Sequence, residues 1–183
     1  MALSTPATEL VIDDLTGDPA TANLGRTWRL VTDGVMGGVS RGRLSPAERE
    51  GRNCLRLQGK VSTANNGGFI QMALELPGNP PVDATPYTGV AITVSGNGET
   101  YNVHLRTSDL WMPWQSYRAS FVARPEWHTV HLPFTDFEPY RTGQALRADR
   151  LRRLGIVAIG RDFEADLCVA RVWFYAEPGP DKR

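Results

Sequence analysis

Short stretches in which apolar and polar residues strictly alternate recur along this chain, separated by clusters of Gly, Pro, Asn and Asp, and a helical period is almost absent. A period of two sends successive side chains to opposite faces of an extended strand, so such a chain must pair its strands and bury one face of each sheet. The pattern predicts an all-β domain folded as an antiparallel β-sandwich. Its strands are expected at Leu10 to Asp13, Trp28 to Val31, Cys54 to Val61, Gly68 to Leu76, Gly89 to Ser95, Tyr101 to Thr107, Ser116 to Ala123, Trp127 to Leu132, Leu154 to Gly160 and Leu167 to Tyr175. Asn65-Asn66-Gly67-Gly68 and Gly96-Asn97-Gly98-Glu99 read as turns between them. Between Phe134 and Arg153 the alternation stops. Pro133, Pro139 and Gly143 mark a long connection there, passing into a short helix or turn over Ala145 to Leu154, and such a segment crosses from one sheet to the other.

A length of 183 residues suits one core, so a single domain is expected over 9–176. Residues 1–8 and 177–183 read as flexible ends, the latter because Pro178-Gly179-Pro180 cannot extend a strand. Lys plus Arg equals Asp plus Glu at 20 each, which removes the net field that would favour nucleic acid or an anionic membrane. No apolar run approaches the roughly 20 residues that span a bilayer. The first residues carry neither a basic and apolar leader nor an Arg-rich amphipathic pattern, so the expected location is cytoplasmic. Cys54 and Cys168 form no CxxC pair and support neither a zinc site nor a redox motif. They read as reduced, half-buried thiols, with a disulfide between them left open.

Nothing in the sequence assembles catalytic chemistry. The nucleophile signature GxSxG does not occur, and an enzyme acting through His104 and Arg106 would require a base and a cleft that the sequence does not identify. Of the three histidines, His128 and His131 point to opposite faces of one expected strand and cannot share a metal, and His104 stands alone on another. No catalytic residue, metal ligand or cofactor is therefore assigned. Asp13-Asp14 and Glu164 with Asp166 offer oxygen ligands that leave structural calcium open, without resembling an EF-hand loop.

Two glycine-rich stretches, Asp33 to Ser40 and Asn65 to Phe69, lack the following helix and Lys of a phosphate cradle. They read instead as loops of fixed shape. Their candidate partner-contacting residues are Asp33, Met36, Ser40, Asn65, Asn66 and Phe69. A second candidate surface follows from alternation. Tyr101, Val103 and Leu105 belong to the core, while Asn102, His104 and Arg106 form a polar row on the other face. Trp111, Trp114, Gln115 and Tyr117 lie beside this row, as aromatic residues do where a sandwich stacks on sugar rings or anchors a protein. The competing readings are a solvated row and core packing; Trp28, Trp127 and Trp173 are assigned to the core.

At these same loops the sequence resembles the complex I intermediate-associated protein 30 family. The matching pieces are Trp28 followed by Asp33-Gly34-Val35-Met36-Gly37-Gly38-Val39-Ser40, then Gly59, Asn65 to Phe69, Tyr87 with Gly89, Gly96-Asn97-Gly98 with Tyr101, Tyr117 to Phe121, Trp127, Pro133-Phe134 and Phe137. They run in order through nearly the whole chain. The resemblance implies a galactose-binding-domain-like jelly roll and, for the mitochondrial members, a chaperone-like factor that helps to assemble respiratory complex I. Eukaryotic members carry a targeting segment and extra regions not seen in this sequence, so it looks like a stand-alone bacterial-type member. The expected function is non-enzymatic binding of a protein partner; the alternative is a carbohydrate or small-molecule binding module using the polar row.

Overall fold

The computed structural model describes residues 8–18, 21–24 and 26–177. Among these, twelve strands form two antiparallel sheets. In chain order they are β1 (Glu9–Asp13), β2 (Arg29–Thr32), β3 (Arg41–Arg49), β4 (Arg52–Val61), β5 (Phe69–Glu75), β6 (Gly89–Ser95), β7 (Thr100–Thr107), β8 (Ser116–Val122), β9 (His128–Pro133), β10 (Glu138–Tyr140), β11 (Leu151–Ile159) and β12 (Phe163–Tyr175). The first sheet runs β3-β4-β12-β6-β9, with β1 also paired to β12. The second runs β10-β8-β7-β11-β5-β2. The expected antiparallel β-sandwich is what the chain forms.

Burial follows the alternation where one face of a strand meets water. In β7, Tyr101, Val103 and Leu105 are fully buried while Asn102, His104 and Arg106 are only partly covered. The core between the sheets joins these residues to Ile70, Met72, Leu74, Leu154 and Ile156 of the second sheet and to Leu57, Val90, Ile92, Leu167 and Phe174 of the first. Full burial of one such side chain contributes roughly 1.5–3 kcal/mol. Tyr101 is, with Tyr117, the largest fully buried side chain among the described residues. Its hydroxyl donates to Asn97 Oδ1 at 2.7 Å and accepts the Asp166 N–H at 2.9 Å, fixing the hairpin before β7 against β12. Burial pushes its hydroxyl up to about 12.

The structure departs from the sequence-based expectations at edges. β3 was not expected, because its sequence RGRLSPAER has little apolar alternation and contains Pro46. It pairs with β4 from Arg41↔Lys60 to Arg49↔Arg52 as the outermost strand of its sheet, a position where proline and charge are tolerated. The three-residue β10 is likewise an edge, carrying Pro139. The long connection does leave β9 in the first sheet and enter the second as β10, but within Ala145 to Leu154 only Ala148–Arg150 makes a helical turn, and β11 begins directly at Leu151.

The cysteines require a correction. Cys54 and Cys168 are both buried and joined by a disulfide, with their Cα atoms 5.4 Å apart. Pairing of β4 with β12 brings them within bridging range despite a separation of 114 residues, which sequence spacing could not reveal. Trp28 and Trp173 are buried as expected. Trp127 is instead half-buried beside the disulfide, its indole N–H donating to the Arg49 carbonyl at 3.0 Å. The expected loose ends fall outside the described residues except for Thr8 and Glu177. No helix among the described residues is long and apolar enough to cross a membrane.

Candidate functional site

The outer face of the second sheet carries a groove of about 530 Å³. Gln71 on β5, Gly155 and Val157 on β11, His104 and Arg106 on β7 and Arg118 on β8 contribute to its lining. One wall comes from Val35, Met36, Asn66 and Phe69, and another from Pro113 to Ser116 with Tyr140 and Arg141. Two surfaces that sequence reasoning treated as separate, the glycine loops and the polar row, thus share one groove. Met36, Asn66, Phe69, His104, Arg106, Trp114 and Gln115 all line it.

The first wall is shaped from behind by Asp33, which is fully buried. Its carboxylate accepts the Ser40 N–H at 3.0 Å, the Ser40 hydroxyl at 2.5 Å and the Gly68 N–H at 2.6 Å. Burial alone would raise its pKa; these donors overcome that and hold it below the usual carboxylate value. The bonds tie the loop after β2 to the loop before β5. Gly38 and Gly67 enclose the carboxylate so closely that a Cβ on either would overlap it, which explains why glycine stands at both positions. Held this way, Val35 and Met36 remain 78% and 62% exposed. Asp33 and the buried Ser40 therefore stand behind the loop surface, and Asn65 is exposed outside the groove.

The opposite wall is braced by two polar side chains. One Arg106 nitrogen, Nη1, donates to the carbonyls of Met112, Pro113 and Gln115 at 2.9, 3.1 and 2.6 Å. Gln115 Oε1 accepts the N–H groups of Trp111 and Met112, and its Nε2 donates to the Arg141 carbonyl at 3.1 Å. This frame keeps Trp114 in the lining at 53% exposure, while Trp111, at 87%, lies beyond it. Core packing is therefore not the role of either ring. Tyr117 has the opposite fate: it is fully buried in the core, with its hydroxyl against the Gln144 and Ala145 carbonyls. Asn102 shares the face of His104, its Nδ2 lying 3.5 Å from His104 Nε2, but does not line the groove.

Arg118, Arg141, Arg153, Gln71 and Tyr140 line the groove and were not singled out from the sequence. Alternation through Ser116 to Ala123 could have placed Arg118, because it falls on the face opposite Tyr117. Arg153 could not be found that way, since only the β7–β11 register sets it opposite Arg106. Across the other neighbour, His104 faces Arg118. Burial, then Arg118 and Arg153, pull the His104 pKa down to about 3, leaving a neutral imidazole at ordinary pH. Arg118 stacks over Tyr140 at 3.6 Å and donates from Nε to Ser116 Oγ at 2.9 Å. Burial is also the main influence lowering the pKa values of Arg106, Arg118 and Arg153 from their ordinary level.

Three of the four carboxylates considered for calcium have other partners. Asp13 accepts the Trp28 indole N–H at 2.7 Å, Asp14 bonds Thr16, and Asp166 pairs with Arg49 and Arg56. Among the described residues no group of three or more His, Cys, Asp or Glu is placed to hold a metal ion.

The sandwich has the galactose-binding-like fold, which solved carbohydrate-binding modules share. The chain is similar to the family 11 carbohydrate-binding module from Clostridium thermocellum solved with a β-1,3-1,4-mixed-linked tetrasaccharide (TM-score 0.73, 12% identity, covering 94% of this chain and 98% of that one). It is also similar to the family 30 carbohydrate-binding module of a Clostridium thermocellum cellulosomal cellulase (TM-score 0.66, 12% identity, 94% and 100%). A likeness to the agarase AgWH50C (TM-score 0.62, 9% identity) covers 96% of this chain and 25% of that one. At such identities the likeness is one of fold. The sequence itself places the chain in a family: it belongs to the complex I intermediate-associated protein 30 family, whose model matches residues 19–168. No match is found among curated proteins.

Proposed function

We propose that this protein is a non-catalytic binding protein that holds an extended segment of a protein partner in the groove of the second sheet. The observation that carries the reading is the convergence of Val35, Met36, Phe69 and Trp114 around a polar floor. An exposed methionine and valine on a loop fixed by a buried carboxylate suit the side chains of a protein, and Trp, Met and Arg are the residues that protein interfaces favour. Family membership makes an assembly intermediate of respiratory complex I, or of another multi-subunit complex, the first place to seek the partner. The working assignment is a single domain over 9–176 acting in the cytoplasm. Affinity purification of the tagged protein should recover a stable partner, and Met36→Arg, on an unchanged fold, should abolish recovery. Retention of the partner by that variant would remove this wall from the interface.

A second reading rests on Trp111 and Trp114, whose exposed rings beside a polar floor could stack on sugar rings. It expects a change in Trp fluorescence with a member of a glycan panel and loss of that change in Trp114→Ala. No response at millimolar glycan would dismiss it.

A further inference from the structure

The groove's charge says more about its occupant than its shape does. Four arginines, Arg106, Arg118, Arg141 and Arg153, line it, and no Asp or Glu does, in a chain whose acidic and basic residues balance at 20 each. Among the described residues, Arg106, Arg118 and Arg141 form no ion pair. Arg153 approaches Glu75 at 3.4 Å, but that carboxylate also pairs with Arg29 at 3.0 Å. Glu138, opposite Arg118 in the β8–β10 register, makes no ion pair with it.

The register sharpens the point. Arg106 stands directly opposite Arg153, and like charges so placed destabilise a sheet by a few tenths to about 1 kcal/mol. The Arg153 Nε is buried and makes no hydrogen bond; the one carboxylate near it is that of Glu75, 3.4 Å away and shared with Arg29. Beyond its Nε bond to Ser116 Oγ and its stack on Tyr140, Arg118 makes no hydrogen bond or ion pair among the described residues. Guanidinium groups present planar forks matched to carboxylates, and their pairing strengthens where water is thin.

Resting on the protein-partner reading above, we infer that the groove recognises an acidic segment of that partner: an extended strand whose carboxylates meet Arg118 and Arg153 while an apolar side chain packs against Met36 and Trp114. A neutral glucan would leave the cations unanswered. An acidic saccharide would answer them but gain little from Val35 and Met36.

Panning a random peptide display library against the intact protein tests this directly. Selected peptides should be at least threefold richer in Asp and Glu than the input. A synthetic copy of one should bind Arg118→Gln/Arg153→Gln at least tenfold more weakly than wild type, and more weakly as salt rises. Arg118→Lys/Arg153→Lys, which keeps both charges, should recover part of the loss, and circular dichroism and melting confirm that each variant is folded. Selected peptides no more acidic than the input, or held equally by the Gln variant, would overturn the acidic-segment inference while leaving protein binding standing. Failure to select any peptide, with no co-purifying partner, would remove the protein-binding reading itself. Oligogalacturonate, titrated in parallel, should not bind; binding that Arg153→Gln abolishes, without acidic peptides selected, would overturn the inference in favour of a saccharide.

Discussion

Removing the Asp33 carboxylate should loosen one wall of the groove by an amount the structure allows to be worked out. In Asp33→Ala the Ser40 hydroxyl can turn wholly to the Ser62 carbonyl, 3.2 Å away, so it is not orphaned. The N–H groups of Ser40 and Gly68 are, because each donates to that carboxylate from a buried position. The Phe69 N–H, at 3.4 Å, adds little. Two orphaned buried donors at roughly 1–3 kcal/mol each give a loss of roughly 2–6 kcal/mol. For a chain of this size that lowers Tm by about 2–4 °C per kcal/mol. Asp33→Asn should lose less, since one oxygen still accepts while its amide faces a donor. Urea unfolding followed by Trp fluorescence measures the loss, and amide exchange at Ser40 and Gly68 shows where it falls. The pH dependence provides an independent check. The folded pKa lies below the ordinary carboxylate value of about 3.9, so the stabilisation is complete above that value and is lost as pH falls through the folded pKa. Wild type and Asp33→Asn should therefore converge in acid. Variants within about 0.5 kcal/mol of wild type, or unchanged exchange at Gly68, would refute the clamp.

Other expectations concern the floor and the far sheet. The ring protons of His104 should show no titration between pH 8 and 4, because its folded pKa is near 3. A folded pKa below the unfolded one means that His104 costs stability as pH falls from about 6.5 toward the folded value, so His104→Gln should flatten the stability curve in that range. A midpoint near neutrality would contradict the combined effect of desolvation and the neighbouring Arg118 and Arg153 on this ring. Thiol reagents should find no free cysteine until the protein is reduced, and Cys54→Ala/Cys168→Ala should lower stability by about 2–4 kcal/mol; titratable thiols in the purified protein would show the pair unjoined. Gly155→Ala should disturb the groove, because a Cβ there collides with the Gln71 amide; an unchanged Gln71 side-chain signal by NMR would show that the floor has room.

How much of this was legible beforehand depended on whether a feature was local. β7 was readable to within a residue because its side chains declare buried and open faces within a few positions, and β6 because a short apolar run bounded by turn residues reads as a strand buried on both faces. β3 was not, because an edge strand has little need of apolar alternation and its pairing with β4 is decided by the partner. The site divided similarly. The loop containing Met36 and the row containing His104 and Arg106 were visible as separate motifs. Their meeting in one groove, the retreat of Asp33 behind its loop and the arrival of Arg153 opposite Arg106 are consequences of strand order and register. Tyr117 shows the same limit from the other side: adjacency to Trp114 and Gln115 suggested the binding face, but the alternation of β8 sends its ring to the core.

The contrast between the two sheets bears on what the groove is for. On the first sheet, Arg49 and Arg56 converge on Asp166 at 3.0 and 2.7 Å, and Arg171 pairs with Glu9. Arg161 pairs with Glu99 nearby. Those partly buried arginines have their counterions within the fold, whereas Arg41, Arg43 and Arg52 of the same sheet are exposed and make no ion pair among the described residues. In the groove Arg106, Arg118 and Arg153 are partly buried, Arg106 and Arg153 stand opposite each other, and Arg106 and Arg118 have no carboxylate partner among the described residues. Partial burial without a counterion opposes folding, and stability alone would favour pairing or replacing these groups. Arg106 offsets part of that cost by holding the Trp114 loop through three carbonyls. Arg118 has its stack on Tyr140 and one bond to Ser116, while Arg153 has only a shared carboxylate. The cationic floor is thus least explained by the fold at Arg118 and Arg153, and those are the positions at which an acidic ligand would supply the missing charge.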